Sequence, residues 1–182
     1  MTPNEKQIKD WKAQYGDVWE FPVDDKKAYL RDPKMTDFKR AFTAMQNEGD
    51  IAFGEEMLTS LWIGGDTDIK TNDEYFLPAR KSLIKFFNYD DAETTTLEGR
   101  QTEIKIGEAR CVVRVITRED LRIAEKKNPS NKPFVTQEKL FEMVCVEKDA
   151  FFDDKNNAAI RFPLYQAMER LQNQKVAILK KL

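Results

Sequence analysis

The feature that most constrains this chain is that its pattern occurs twice. Residues 16–63 laid over residues 99–146, an offset of 83 positions, bring Gly16 onto Gly99, Glu20 onto Glu103, Arg31 onto Arg114, Asp37 onto Asp120, Ala41 onto Ala124 and Glu55 onto Glu138. Apolar positions coincide between these identities. Phe21 and Val23 match Ile104 and Ile106, and Tyr29 and Leu30 match Val112 and Val113. Met57, Leu58, Leu61, Trp62 and Ile63 match Leu140, Phe141, Val144, Cys145 and Val146. Past Gly64-Gly65 the register moves by one, so that Phe76, Leu83, Ile84 and Phe87 fall on Ile160, Ala167, Met168 and Leu171. Self-similarity over a long period marks a repeated supersecondary unit. A chain of this kind is expected to build one small unit twice.

Each copy has the same grammar. Two short alternating runs flank a polar turn, "DVWEFPV-DDK-KAYLR" in the first and "TEIKI-GEA-RCVVRV" in the second, which is the pattern of a β-hairpin. Three helical segments follow. Phe38, Ala41, Phe42 and Met45 recur at helical spacing in the first of them, with Thr36 and Thr117 as N-caps and "TRED" as an acidic capping box. The second helices are "IAFGEEMLTSLWI" and "TQEKLFEMVCV"; the third are "NDEYFLPARKSLIKFF" and "NAAIRFPLYQAMERLQ", the last running on through "KVAILKKL". Pro78 and Pro163 fall early in the third helices, so these either begin late or bend. The expected fold is therefore α+β, a tandem duplication of a β-hairpin plus three-helix unit with terminal helices. Residues 1–15 form an N-terminal helix carrying Ile8, Trp11 and Tyr15 on one stripe, and 16–87 the first ββααα unit. Residues 88–98 are a polar linker, and 99–182 the second unit with an extended C-terminal helix.

The stretch "WIGGDTDIKTNDE" offers the most obvious candidate for chemistry, with two glycines and two closely spaced carboxylates. A structural reading accounts for it without a ligand. Trp62 ends an amphipathic helix, Gly64 and Gly65 terminate it, Asp66 follows in the loop, and Thr71 with Glu74 forms a capping box for the next helix. A calcium loop would need a Glu where Leu77 stands. A phosphate cradle would need a Gly-Lys-Ser/Thr end that the stretch lacks. The sequence has no histidine, which removes Ser-His-Asp and Cys-His arrangements and the usual zinc sites. Arg31 and Arg114 match on strands and are read as rim arginines pairing with Asp37 and Asp120. No catalytic, cofactor or metal residue is singled out.

Composition narrows the partners. Charged residues make up 34% against a net charge of −2. The basic strip from Arg110 to Lys127 is interrupted by acids, so nothing favours nucleic acid. Cys111 and Cys145 lie in apolar runs without a CxxC and read as small buried hydrophobes. No segment has a signal core or the ~20 apolar residues of a membrane span, so a reducing, cytoplasmic setting is the default expectation.

Lys12, Gly16, Val18, Tyr29, Arg31, Pro33, Trp62, Gly64, Gly65 and Asp66 fit, in order, a "K-x-x-x-G-x-V" start, a "Y-x-R-x-P" strand end and a helix closing in "W-x-G-G-D". On these residues the first copy, about residues 8–87, resembles small phage and prophage proteins of the tail-assembly-chaperone type. The second copy lacks the Tyr, Pro, Trp and glycines. The resemblance implies a non-enzymatic morphogenesis protein, present in the host cytoplasm during assembly, that binds the tape measure or other tail components. A structural virion or head–tail junction component is the alternative, and a small enzyme or ligand-binding protein using a cleft between the copies is a second. Self-association is compatible with each. Partner binding is expected to use apolar anchors at helical spacing on the terminal helices: Ile8 and Trp11 at one end, Ile178, Leu179 and Leu182 at the other. Trp11 is also suited simply to closing the core.

Overall fold

A computed structural model describes residues 3–173, apart from the side chain of Phe87; Ile178, Leu179, Leu182 and the continuation of the last helix lie outside the described residues. The fold is α+β, with antiparallel sheets of three and four strands. The chain divides into two compact units between Asn88 and Tyr89.

The first unit opens with α1 (Glu5–Tyr15), capped by the Asn4 side chain, which accepts the Gln7 backbone N–H at 2.8 Å. Strands β1 (Val18–Val23) and β2 (Lys26–Arg31) form the hairpin, with Asp24 at φ 51° in its two-residue turn. Helices α2 (Met35–Glu48) and α3 (Asp50–Leu61) follow, then β3 (Trp62–Gly65), the short α4 (Asp68–Thr71), and α5 (Asp73–Ser82) running into a 3-10 turn at Leu83–Phe87. The strand order is β1-β2-β3. The core is closed by Leu30, Phe38, Met57, Leu58, Leu61, Ile69 and Leu83, each almost wholly buried. Burial of each such side chain stabilises by about 1.5–3 kcal/mol.

The second unit contains β4 (Glu93–Thr96), β5 (Thr102–Ile106), β6 (Ala109–Val113), α6 (Arg118–Lys126), α7 (Val135–Val144), β7 (Cys145–Lys148), a 3-10 turn at Ala150–Phe152, and α8 (Ala158–Gln172). Its strand order is β4-β5-β6-β7. The core here is Ile104, Cys111, Leu140, Val144, Phe152, Leu164 and Met168.

The internal registers of the two units are congruent. Glu20 pairs with Tyr29 as Glu103 pairs with Val112; Ala28 pairs with Gly65 as Cys111 pairs with Lys148. Even the irregularity repeats: the ladder shifts between Tyr29 and Leu30 and again between Val112 and Val113. Every one of these pairs obeys the offset of 83. In the last helix the offset becomes 85 rather than the 84 expected from the sequence. Asn72 and Asn157 precede α5 and α8, Pro78 and Pro163 are each the sixth residue, and buried Phe76, Ala79 and Leu83 correspond to buried Arg161, Leu164 and Met168. Both helices thus begin well before their prolines.

Four other expectations are corrected. Each unit has a third strand, β3 or β7, where a helix end was expected. α3 stops at Leu61, Trp62 is already extended, and Gly64 lies in a strand rather than ending a helix. Thr36 lies inside α2, whose N-cap position is Lys34, with the Asp37 carboxylate accepting the Lys34 N–H at 2.8 Å. Thr117 does cap α6, its hydroxyl accepting the Asp120 N–H. Finally, the 88–98 stretch is not simply a linker, since β4 lies within it and pairs with β5.

The extra strand has a sequence cause. In a two-residue hairpin the pair flanking the turn is hydrogen-bonded, so alternate residues turn their N–H and C=O outward. On β5 these are Glu103 and Lys105, which pair with Thr95 and Glu93. The matching residues on β1 are Glu20 and Pro22. Proline has no N–H to donate, which blunts an edge.

Candidate functional site

The Gly-Gly-Asp joint is where chemistry was most plausible, and the fold puts it at the end of β3 beside the hairpin turn. Gly64 makes room for a neighbour: a Cβ there would lie 2.9 Å from the indole of Trp11, which would have to shift. Gly65 is required by its backbone, with φ 118° and an added Cβ 2.4 Å from the Lys27 carbonyl oxygen. The Asp66 N–H then donates to that carbonyl at 2.8 Å, continuing the contact with β2.

The two carboxylates already hold a cation from the chain itself. Lys26 Nζ lies 3.3 Å from Asp66 and 3.2 Å from Asp68, and 5.7 Å from the centre of the Tyr75 ring. The Tyr75 hydroxyl donates to Asp25 at 3.1 Å. Asp68 first, and then Asp66, raises the Lys26 pKa well above its ordinary value. The Asp68 backbone N–H, followed after the opposing effect of burial by Lys26, holds Asp66 below the usual carboxylate range. A divalent ion would have to displace an ammonium held on two sides. Among the described residues, no group of three or more His, Cys, Asp or Glu side chains is placed to hold a metal.

The capping box expected of Thr71 and Glu74 is replaced by a different device. Thr71 is the last residue of α4, and the Asn72 side chain accepts the Glu74 N–H at 3.0 Å to start α5. Trp62 is half-buried, with Lys70 Nζ 4.3 Å above its ring, a cation–π contact.

Arg31 and Arg114 are clamps. Arg31 grips Asp37 with two bonds of 2.8 and 2.9 Å and donates to the carbonyls of Asp32 and Ser60, joining β2 to the start of α2 and the end of α3. Arg114 repeats the pattern with Asp120, Val115 and Met143. Burial pushes the Asp37 carboxyl up, but Arg31 and the Lys34 N–H more than offset this and leave it below its usual value. Arg114 and then Thr117 depress Asp120. Both arginines have their two terminal nitrogens engaged by the fold.

The terminal anchors behave unequally. Ile8 and Trp11 are half-buried, and the Trp11 ring lies 5.5 Å from that of Tyr29, so it covers the β2–β3 face. The apolar side chains that stand out in the first unit are others, missed in the sequence. Trp19 on β1 is 50% exposed, with Phe86 edge-on at 5.9 Å, and Ile84 on the same 3-10 turn as Phe86 is 69% exposed. An outward position on an edge strand is the signal that could have found Trp19. No described helix is long and apolar enough to cross a membrane. Comparison with protein-family models, with curated proteins and with solved structures gives no match.

Proposed function

We propose that this chain is a phage-type morphogenesis protein of the tail-assembly-chaperone kind, built by tandem duplication, which acts in the host cytoplasm by binding a tail component and performs no catalytic step. The observation that carries the reading is how the first unit spends its polar and apolar groups. Arg31, Asp37, Asp66 and Lys26 are consumed by internal pairs, while Ile84 and the Trp19 ring, whose N–H donates to Asp32, stay exposed. Exposed aromatic and aliphatic anchors on a rigid sheet edge and adjoining turn suit protein recognition. The resemblance of residues 8–87 supports the same class, because its motif residues build the three-stranded sheet and its clamp rather than a reaction centre.

The test is co-expression of the tagged chain with the tape-measure and tail-tube proteins of the same phage, followed by affinity capture and sizing. A stoichiometric complex that Trp19→Ser and Ile84→Ser together weaken at least tenfold supports the reading. A chain that elutes alone beside every tail protein overturns it.

A further inference from the structure

In the second unit the polar lock beside the hairpin turn is replaced. In the first unit Lys26 sits between Asp66 and Asp68, over the Tyr75 ring. Backbone contacts fix the equivalent place. The Asp149 N–H donates to the Arg110 carbonyl at 3.0 Å as the Asp66 N–H does to that of Lys27 at 2.8 Å. The Phe152 N–H donates to the Asp149 carbonyl as the Ile69 N–H does to that of Asp66. The offset of 83 then sets Ala109 at the position of Lys26 and Phe151 at that of Asp68. The offset of 85 in the last helix sets Ile160 at that of Tyr75. The lysine, one of its carboxylates and the ring beneath it all give way to apolar groups. The remaining acid, Asp149, turns to the backbone, where its carboxylate accepts the Arg110 N–H at 2.7 Å.

What this leaves is an open groove of about 340 Å³ lined by Tyr89, Ile106, Ala109, Phe151 and Ile160, with Asp90 and Glu108 at its rim. Its floor is accessible, since Phe151 is 55% exposed and Ile160 half-buried. Ile106 and Ala109 face each other across the hairpin and share one side of it; the next pair, Lys105 and Arg110, turns to the other side. The arginines nearest in sequence are committed, Arg110 to Glu103 and Glu147, and Arg170 to Asp91. Asp90 and Glu108 are exposed, and among the described residues neither forms an ion pair. An apolar floor under an unneutralised anionic rim suits a lysine side chain, whose methylene stem lies on apolar surface while its ammonium stays at the edge.

We propose that this groove receives a lysine of a partner protein, flanked there by apolar residues. The stem of that lysine packs on Ala109, Phe151 and Ile160, and its ammonium is drawn to the carboxylates of Asp90 and Glu108. The first unit supplies the equivalent lysine from its own strand β2; the second unit takes it from another chain. The groove belongs wholly to the second unit and is separate from the first-unit surface proposed for tail binding, so the two stand or fall independently.

The experiment titrates the intact chain with the blocked peptide acetyl-Leu-Lys-Leu-amide, followed by NMR, with norleucine or glutamate in place of the lysine as parallel probes. Saturable binding of the lysine peptide with Kd on the order of 1 mM is expected, with shifts centred on 106–109, 151 and 159–160. Exposed ion pairs are weak, so the norleucine peptide is expected to bind about threefold more weakly and the glutamate peptide at least tenfold. The double variant Asp90→Asn, Glu108→Gln alters only exposed side chains, and in it the lysine and norleucine peptides are expected to bind equally. Ala109→Lys restores the lysine of the first unit and is expected to weaken the lysine peptide at least tenfold. Because Ala109 is buried, the double variant decides by itself if Ala109→Lys does not fold. Equal binding of the norleucine peptide to the wild type, preference for glutamate, or lysine preference retained in the double variant would each overturn the proposal. So would full affinity in folded Ala109→Lys, no saturable binding by the wild type, or wild-type self-association that shifts the same residues, which would assign the groove to a second copy.

Discussion

Asp37→Asn is the most informative single change, because it removes the charge from the more buried of two matching clamps, one in which Arg40 also reaches Asp37 at 3.0 Å. Asp37 is 1% exposed and the Arg31 side chain 18%, whereas the Arg114 side chain that holds Asp120 is 43% exposed. Breaking a buried pair by removing one partner costs about 3–5 kcal/mol. Arg31 keeps the carbonyls of Asp32 and Ser60, and Asn keeps one acceptor oxygen, which lowers the expected loss to about 2–3 kcal/mol. For Asp120→Asn, water takes over much of Arg114, and the loss is about 1 kcal/mol. The assay is urea unfolding at neutral pH followed by tryptophan fluorescence, since Trp11, Trp19 and Trp62 all lie in the first unit. With a slope of about 1–2 kcal/mol/M, Asp37→Asn lowers the midpoint by roughly 1–3 M and Asp120→Asn leaves the fluorescence transition nearly in place. Acid gives a second readout. Both carboxyls are depressed in the folded chain, so their stabilisation is complete above the unfolded pKa of about 4 and is lost as pH falls through the folded pKa. The gap between wild type and Asp37→Asn therefore closes below about pH 4. An Asp37→Asn midpoint within error of wild type would refute the argument that the buried clamp holds the first unit together.

Four further outcomes follow from the same geometry. Gly65→Ala sets a side chain at φ 118° against the Lys27 carbonyl and costs about 3 kcal/mol by urea unfolding. Gly64→Ala only displaces the Trp11 ring and, since α1 has no fully buried residue, costs about 1 kcal/mol with a red shift in fluorescence. Pro22→Lys restores the edge donor that Lys105 supplies in the second unit, so light scattering should show concentration-dependent association absent from the wild type. Burial first, and then the neighbouring Cys145, pushes the Cys111 thiol up to about 12, so mass spectrometry after brief iodoacetamide treatment at pH 8 should find native Cys111 unmodified and urea-unfolded Cys111 modified.

The repeated hairpin was legible because period-two alternation and an aligned turn are local signals. The capping of α6 by Thr117 and Asp120 was legible for the same reason. The third strand was not, because "LWIGG" continues the apolar run of α3 and its extended pairing with β2 is decided by tertiary contact. That miss hid the candidate site, since Lys26 meets Asp66 and Asp68 only once β3 is laid beside β2. The offset of 85 in the last helix was obscured by matching apolar with apolar, which cannot pair Phe76 with a buried Arg161. Thr36 does not cap because α2 already begins at Met35, with Lys34 in the N-cap position.

Under the proposed function, a tail protein is recognised through the exposed apolar side chains of the first unit. Hydrogen exchange of the chain, alone and in the complex captured with tail proteins, tests it most directly. Added protection is expected in β1 around Trp19 and in the turn at 83–87, with β7 and α8 unchanged. Protection confined to the second unit, with β1 and the 83–87 turn exchanging as in the free chain, would contradict it.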